Sequence, residues 1–397
     1  MTVSSRNDNG QVTLFLEGHL DTASAALAST EINGQLDACG DIHALTCDIA
    51  GITFLSSSGL RLLLGLKKRS KDFRIVEAQP DIYHVLEMTG FTQMMTVERS
   101  LRRLSIEGCE LIGRGGVGLV YRINEDTIIK VFRAGTTFAD VQHEIQMSKE
   151  TFILGMPTPI SYDIVRVGDQ YGLVYELLQA DTLSACICRE PDRIDFFAHQ
   201  YADLFRQMHS IQVPSGSGIH EAVQLEEAAV RHIGRYFDTP SIDLLLRIVH
   251  AIPKSNRLLH GDLQTKNVMM QNGEPMLIDM GEVSYGHPLL DLAHSYSAMV
   301  TLVGDYESIV GLPRAYATDV WHRMINYYFA GEPQDLIAHR IAQIQALSCV
   351  RNFSWLSLSD SFPADLIRQC QSLFAERVTH LRDHLLAISQ TFSDWEL

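Results

Sequence analysis

Apolar and polar positions alternate along Val12-Thr13-Leu14-Phe15-Leu16, the period of a half-buried strand. The period then changes. From Asp21-Thr22, which can cap a helix, apolar and small residues recur at helical spacing as far as Leu36. A second strand fits Ala44 to Ile49. After a turn at Gly51 to Ser56, Leu60, Leu62, Leu63, Leu64 and Leu66 predict a helix with serines at its start and Lys67, Lys68 and Arg69 at its end. A short strand near Phe73 to Val76, a helix from about Pro80 to Met88 and a last strand near Met95 to Val97 complete a small α/β domain over residues 1–100.

A different regime follows the polar and basic segment Ser100-Leu101-Arg102-Arg103, which places a boundary near residues 99–106. To Leu178 the chain reads as strand, glycine loop, strand, turn, strand and helix, then two more strands around Ile164 and Leu173. This predicts a β-rich small lobe over 105–178. From Leu183 onward the pattern is mostly helical, and a large lobe is expected over 179–397. It is interrupted by two short apolar runs, Val268-Met269-Met270 and Met276-Leu277-Ile278, that fit a hairpin. The expected fold class is an α/β domain followed by a two-lobed α+β domain.

Composition narrows the function classes. A chain of 397 residues is too long for one ordinary core. With 46% hydrophobic and 20% charged residues it has a globular composition. A formal net charge of −16 argues against broad binding to nucleic acid or anionic lipid. No apolar stretch reaches membrane-spanning length and the first eleven residues are polar, so a cytoplasmic protein is expected. Seven scattered cysteines make no disulfide framework, and Cys186-Ile187-Cys188 has no second pair at zinc-finger spacing.

Phosphoryl transfer from ATP requires a cover for the phosphates, a cation on them, metal ligands, and a carboxylate beside the attacking hydroxyl. The second region offers each in that order. The cover is Gly113-Arg114-Gly115-Gly116-Val117-Gly118, with Gly113, Gly115, Gly116 and Gly118 free of side chains that would clash with phosphates. A plain hairpin turn fits the same run. Lys130 follows on a strand and shares its face with Ile128 and Phe132. Its natural partner is Glu144 in the helical stretch after it, although an exposed lysine and an unrelated glutamate would read the same way. The most specific signal is His260-Gly261-Asp262 with Asn267 and, beyond the hairpin, Ile278-Asp279-Met280-Gly281. Asp262 would orient the acceptor hydroxyl and take its proton, while Asn267 and Asp279 would supply oxygen ligands to Mg²⁺.

Residues 105 to 300 resemble the aminoglycoside phosphotransferase and choline kinase family, the small-molecule relatives of protein kinases. Further matches are Gly155-Met156-Pro157-Thr158-Pro159, Met208-His209, and Pro288-Leu289-Leu290-Asp291-Leu292-Ala293. The resemblance implies ATP and Mg²⁺ as cofactors and gives His260 and Asp291 the role of supporting the catalytic loop. It also places Glu176 and Leu178, in Tyr175-Glu176-Leu177-Leu178, at the hinge where backbone atoms meet adenine. Protein serine/threonine kinases carry a lysine where this chain has Gln264, and only a dozen residues separate Asp279 from Asp291, too few for a peptide-docking activation loop. A small hydroxylated acceptor is therefore favoured.

Residues 11 to 98 resemble the STAS domain of anti-sigma-factor antagonists, through Gly18-His19-Leu20-Asp21 and the run from Asp48 to Leu60. The serine phosphorylated in that family aligns with Ser57, while the aspartate before it has become Ser56. Ser57 reads either as a helix cap or as a phosphosite at a helix N-terminus. The sequence thus predicts an ATP-dependent phosphotransferase acting on a small-molecule hydroxyl, with a tethered STAS module for regulation or for docking a protein partner. The alternatives are a signalling kinase that phosphorylates a STAS serine, Ser57 in cis or one on a partner, and a nucleotide-binding pseudokinase. Acceptor specificity is expected around Leu183 to Ile194, Gly216 to Tyr236 and the tail after Thr301, whose aromatics (Trp321, Tyr327, Tyr328, Phe329, Phe353, Trp355) accompany Asp360 and Asp365.

Overall fold

The computed structural model describes residues 1–302, 306–358 and 363–395. The chain forms two compact units: Met1–Ile106 with Ile164–Tyr171, and Glu107–Asp163 with Gly172–Leu397.

In the first unit the elements run β1 (Thr2–Asp8), β2 (Gln11–Leu20), α1 (Thr22–Asp37), β3 (Ala44–Leu55), α2 (Ser57–Lys67), β4 (Asp72–Ala78), α3 (Pro80–Met88), α4 (Phe91–Met94) and β5 (Thr96–Arg99). The five strands lie in sequence order in one sheet, with β1 antiparallel to β2 and the remaining pairs parallel. Val12, Leu14 and Leu16 of β2 face the core with Leu45, Cys47 and Ile49 of β3, and Ala25, Ala28, Ile32 and Leu36 of α1 cover them. Helix α1 starts where expected because Asp21 and Ser24 cap each other, each side chain accepting the other's backbone N–H at 2.8 and 2.9 Å.

Three expectations are corrected here. Strand β1 was not anticipated: only Val3 of it is buried, so it shows no alternation, and the sheet pairing alone defines it. Strand β3 continues past Ile49 to Leu55. The cap of α2 is Ser56, whose Oγ accepts from Gly59 N at 3.3 Å and donates to the Leu20 carbonyl at 3.0 Å. Ser57 is instead the first helical residue, exposed, so the capping role read for it belongs to its neighbour.

The second unit opens with β6 (Glu110–Arg114), β7 (Gly118–Arg122), β8 (Thr127–Phe132) and α5 (Phe138–Ile153). Next in the chain come β9 (Ser161–Val167) and β10 (Gln170–Glu176), whose stretch Ile164–Tyr171 is counted with the first unit, and the sheet order is β6-β7-β8-β10-β9. There follow β11 (Asp181–Thr182), α6 (Leu183–Arg189), α7 (Ile194–Ser210), β12 (His220–Glu221), α8 (Ala222–His232), α9 (Thr239–His250) and β13 (Arg257–Leu259). The hairpin β14 (Val268–Gln271) and β15 (Glu274–Leu277) precedes β16 (Ser284–Gly286) and α10 (Leu289–Tyr296). Helices α11 (Tyr306–Val310), α12 (Arg314–Tyr328), α13 (Gln334–Ser354), α14 (Ala364–Phe374) and α15 (Arg382–Ser389) complete it. One apolar core joins α7 (Phe197, Tyr201, Phe205), α9 (Leu245, Val249) and α12 (Trp321, Met324). Its shell carries the loops that join β13 to β14 and β15 to β16.

Among the described residues no helix is long and apolar enough to cross a membrane. All seven cysteines are free. No group of three or more His, Cys, Asp or Glu side chains able to hold a metal occurs among the described residues.

Candidate active site

Strand β13 delivers the chain into His260-Gly261-Asp262, and the loop is fixed from several sides. Asp291, buried in the first turn of α10, accepts the N–H groups of His260 at 2.8 Å and Gly261 at 2.7 Å. His209, at the end of α7, lies 3.3 Å from the same carboxylate and 2.8 Å from the Tyr328 hydroxyl. Burial raises the Asp291 carboxyl, but His209 and the loop N–H groups outweigh it and leave the group below its ordinary value. The Tyr201 hydroxyl donates to the Leu263 carbonyl at 2.8 Å, and Ser184 donates to Thr265 at 2.8 Å. Gly261 has φ +81°, and a Cβ there would meet the Glu282 carbonyl oxygen at 2.3 Å. Gly261→Ala is accordingly expected to lower stability by about 2–3 kcal/mol, by adding a clash to a left-handed backbone, and thermal melting checks this.

The ring of His260 is wired into the next strand. Its Nδ1 accepts from Asp262 N at 3.3 Å, which leaves Nε2 to donate to the Ile278 carbonyl at 3.1 Å. Asp279, one residue further, is thereby held opposite Asp262. The Asp262 carboxylate accepts from Gln264 Nε2 at 3.2 Å and Asn267 Nδ2 at 3.1 Å. Burial pushes this carboxyl above its ordinary value, and Arg351 and then His260 partly pull it back.

Lys130 projects from β8 onto Glu144 of α5, with Nζ 2.8 and 3.0 Å from the two carboxylate oxygens, and onto Asp279 at 2.8 Å. Burial disfavours the ammonium, yet Glu144 and then Asp279 raise its pKa above the ordinary lysine value. The Tyr175 hydroxyl also donates to Glu144, at 2.9 Å, which fixes the acid for its partner. At Asp279 desolvation opposes the charge, and the charge and hydrogen bond of Lys130 win, lowering the carboxyl. The backbone of Asp279 is left-handed, φ +63° and ψ +63°, which is uncommon for a residue other than glycine.

A cleft of about 510 Å³ lies beside this triad, between the small-lobe sheet and the β14–β15 hairpin. Ile112, Val120, Ile128, Met269 and Ile278 give it apolar walls. Gly113, Gly115 and Gly118 border it, while Gly116 faces the adjoining outer cavity. Gly115 N donates to the Gly118 carbonyl at 2.9 Å, closing the turn, and a Cβ on Gly118 would lie 2.4 Å from the Val131 carbonyl oxygen. Glu176 and Leu178 line the same cleft. The Glu176 carboxylate is occupied elsewhere, accepting from Ile160 N at 3.1 Å.

The outer cavity, about 980 Å³, continues past Asp262, Asn267 and Asp279. Of the three stretches expected to set acceptor specificity, only the tail lines it, through Leu302, Ile309, Arg351, Trp355 and Leu358. Leu183 to Ile194 and Gly216 to Tyr236 contribute none of its residues. Among the aromatics named from sequence, Trp355 alone lines the cavity. Trp321, Phe329 and Phe353 are core, Tyr328 serves His209, and Tyr327 donates to Asp195 at 2.7 Å. Asp365 is exposed and paired with Arg368, and Asp360 lies outside the described residues. Residues not anticipated from sequence are His294, Ser297 and Arg351 on the cavity wall and Glu226 behind them.

Among curated proteins nothing matches. The model of the phosphotransferase enzyme family matches residues 108–327, more than half of the chain, and the STAS domain model matches residues 2–104. A solved choline/ethanolamine kinase family protein from Mesorhizobium loti is 16% identical, covering 71% of this chain and 92% of its own, with a TM-score of 0.47. An aminoglycoside 2'-phosphotransferase is 16% identical over 76% of this chain and 98% of its own, with a TM-score of 0.47. An amicoumacin kinase is 14% identical over 77% of this chain and 93% of its own, with a TM-score of 0.45. With its Lys130–Glu144 pair, its Asp262 loop and the family match across both, the chain belongs to the phosphotransferase enzyme family and carries a STAS domain ahead of it.

Proposed function

We propose that the second unit transfers the γ-phosphate of ATP to a hydroxyl of a small molecule. The observation that carries this is the convergence of Asp262, Asn267, Asp279 and the Lys130–Glu144 pair on one opening between the cleft and the outer cavity. Adenine fits the apolar cleft against the hinge backbone, and the glycine turn offers N–H groups to the phosphates. Lys130, held by Glu144, turns its charge from Asp279 to the phosphates. Asp262, oriented by Gln264 and Asn267, accepts a hydrogen bond from the acceptor hydroxyl and receives its proton as the oxygen attacks.

The residues present fit Mg²⁺. Asn267 spends its amide nitrogen on Asp262, which leaves its Oδ1 available, and Asp279 has one carboxylate oxygen beyond the one on Lys130. Both are hard oxygen donors. The ion when bound neutralises charge on the phosphate oxygens.

The path from Asp279 to Asp291 supports a small acceptor. It holds a single helical turn at Met280–Glu282 and then β16, paired with β12 and β13, so it leaves no loop to dock a peptide. Acceptor-stimulated ADP production is the test: wild type should consume ATP faster with some member of a panel of hydroxylated metabolites, and no stimulation by any would count against the reading. Lys130→Met should lower kcat/KM for ATP by roughly 10²-fold or more in the same assay, because it removes a cation aimed at the phosphates.

The exposure of Ser57 at the first position of α2 keeps a second reading, transfer to a STAS serine. There, ATP consumption without any metabolite would fall in Ser57→Ala. The STAS domain is then the substrate, and in the first reading it is a regulatory or docking module.

A further inference from the structure

The outer cavity carries a guanidinium whose nearest charged partner among the described residues lies beyond good hydrogen-bond range. Arg351 of α13 lines the cavity beside Asp262, Ser297 and Trp355. Its side chain is 19% exposed, and the nearest charged partner among the described residues is Glu226 Oε1 at 3.6 Å, beyond a good hydrogen bond. Glu226 is engaged at that same oxygen. Its Oε1 lies 2.9 Å from His294 Nε2, while His294 Nδ1 lies 2.9 Å from the Gly261 carbonyl. Each ring nitrogen thus faces an oxygen, and both positions of the ring are taken up inside the fold. Burial opposes the ionisation of Glu226, yet the hydrogen bond and charge of His294, with Arg351 after them, bring its carboxyl down to about 2. Glu226 Oε1 is thus shared by His294 and Arg351, with His294 the closer, and among the described residues no hydrogen bond fixes the planar fork of the guanidinium.

The acids of the cavity do not redress this. Asp140 caps α5 through Thr137, Glu144 holds Lys130, and Asp262 and Asp279 belong to phosphoryl transfer, which leaves Glu282. An acceptor rich in amino groups would place cations against Arg351 with one uncommitted acid to pair them. Arg351 is also first among the groups that draw the Asp262 carboxyl back toward its ordinary value, so the guanidinium lies within electrostatic reach of the proton-accepting atom.

We propose that the acceptor carries an anionic group, a carboxylate or a phosphate, which the guanidinium of Arg351 binds while the acceptor's hydroxyl lies at Asp262. This rests on the phosphotransfer reading above for the place of the hydroxyl, and the anion site is measurable without turnover. A planar guanidinium suits either oxyanion by two parallel hydrogen bonds. Arg351 then sets specificity and contributes to acceptor binding.

The test is equilibrium binding of labelled probes to the full chain with Mg²⁺ and a non-hydrolysable ATP analogue. Glycerate supplies the carboxylate arm, glycerol 3-phosphate the phosphate arm, and glycerol and ethanolamine the neutral and cationic comparisons. At least one anionic probe should bind tenfold or more tighter than glycerol and ethanolamine, and the tighter of the two identifies the anion. Arg351→Met should weaken that probe by 10- to 100-fold, the loss expected of a charge-assisted contact, and leave glycerol unchanged. Arg351→Lys should recover part of the loss, which a purely structural role would not predict, and it replaces the methionine variant as the test if that one melts early. Equal binding of anionic and neutral probes, preference for ethanolamine, or binding of no anionic probe would overturn the proposal. The phosphotransfer reading fails separately, if anionic probes bind but ATP is consumed with none of the hydroxylated metabolites.

Discussion

Asp262→Asn should slow phosphotransfer by on the order of 10²- to 10⁴-fold, the range expected when a positioned proton acceptor is removed. The substitution keeps the shape of the side chain. The new amide could still receive a hydrogen bond on its oxygen, but it cannot take a proton from the attacking hydroxyl. It also turns an amide nitrogen toward Gln264 Nε2 or Asn267 Nδ2, both donors to the native carboxylate. Nucleotide affinity should change less than threefold, because the apolar cleft proposed for adenine does not include Asp262 in its lining. A rate assay paired with calorimetric titration of ATP checks both halves. A fall in kcat with an unchanged Kd is the signature of a group that acts in the transition state.

Asp291→Ala should cost roughly 3–5 kcal/mol of stability, the usual loss when one partner of a buried charged network is deleted. The carboxylate is fully buried and serves two backbone N–H groups and His209. Each buried N–H orphaned there costs about 1–3 kcal/mol. The melting point of the second unit should fall by about 10 °C. On the proposed function, ATP should raise that transition, which makes it recognisable. Activity should fall further than stability requires, since a shift of about 1 Å in a catalytic loop can cost 10²-fold. Asp291→Asn should lie between, keeping one acceptor while facing the other N–H with a donor.

The grouping of His260, Asp262, Asn267 and Asp279 was legible in the sequence because these residues are close in the chain: the first three fall within one loop, and Asp279 follows a hairpin. The Lys130–Glu144 pair was legible for a different reason. Strand alternation put a lysine on an apolar face, and a buried acid on the next helix was the available answer. The cluster around Arg351 was not legible. Glu226, His294 and Arg351 come from three helices, and along each one the residue reads as an ordinary polar position. His209 likewise read as a helix end, and only packing brings it to Asp291.

Other misses had a local signal. Asn9 and Gly10 have φ of +50° and +84°, so Asn-Gly makes the two-residue turn that joins β1 to β2. That dipeptide is a strong hairpin signal, and the polar edge strand before it masked the pairing. At α2 the error was one residue. Three serines stand in a row, Ser56 to Ser58, and the cap goes to the one whose extended backbone aims Oγ at the amide three residues on, which is Ser56.

Whether Asp262 directs the γ-phosphate of ATP to a small molecule is measured most directly by following that phosphate. Full-length protein is incubated with γ-labelled ATP, Mg²⁺ and a mixed metabolite extract, with Asp262→Asn in parallel, and protein is separated from small molecules afterwards. Label should appear in a low-molecular-mass phosphomonoester with wild type, and almost none with the variant. Label retained on the protein at Ser57, or equal label in the small-molecule fraction from both proteins, would contradict that role.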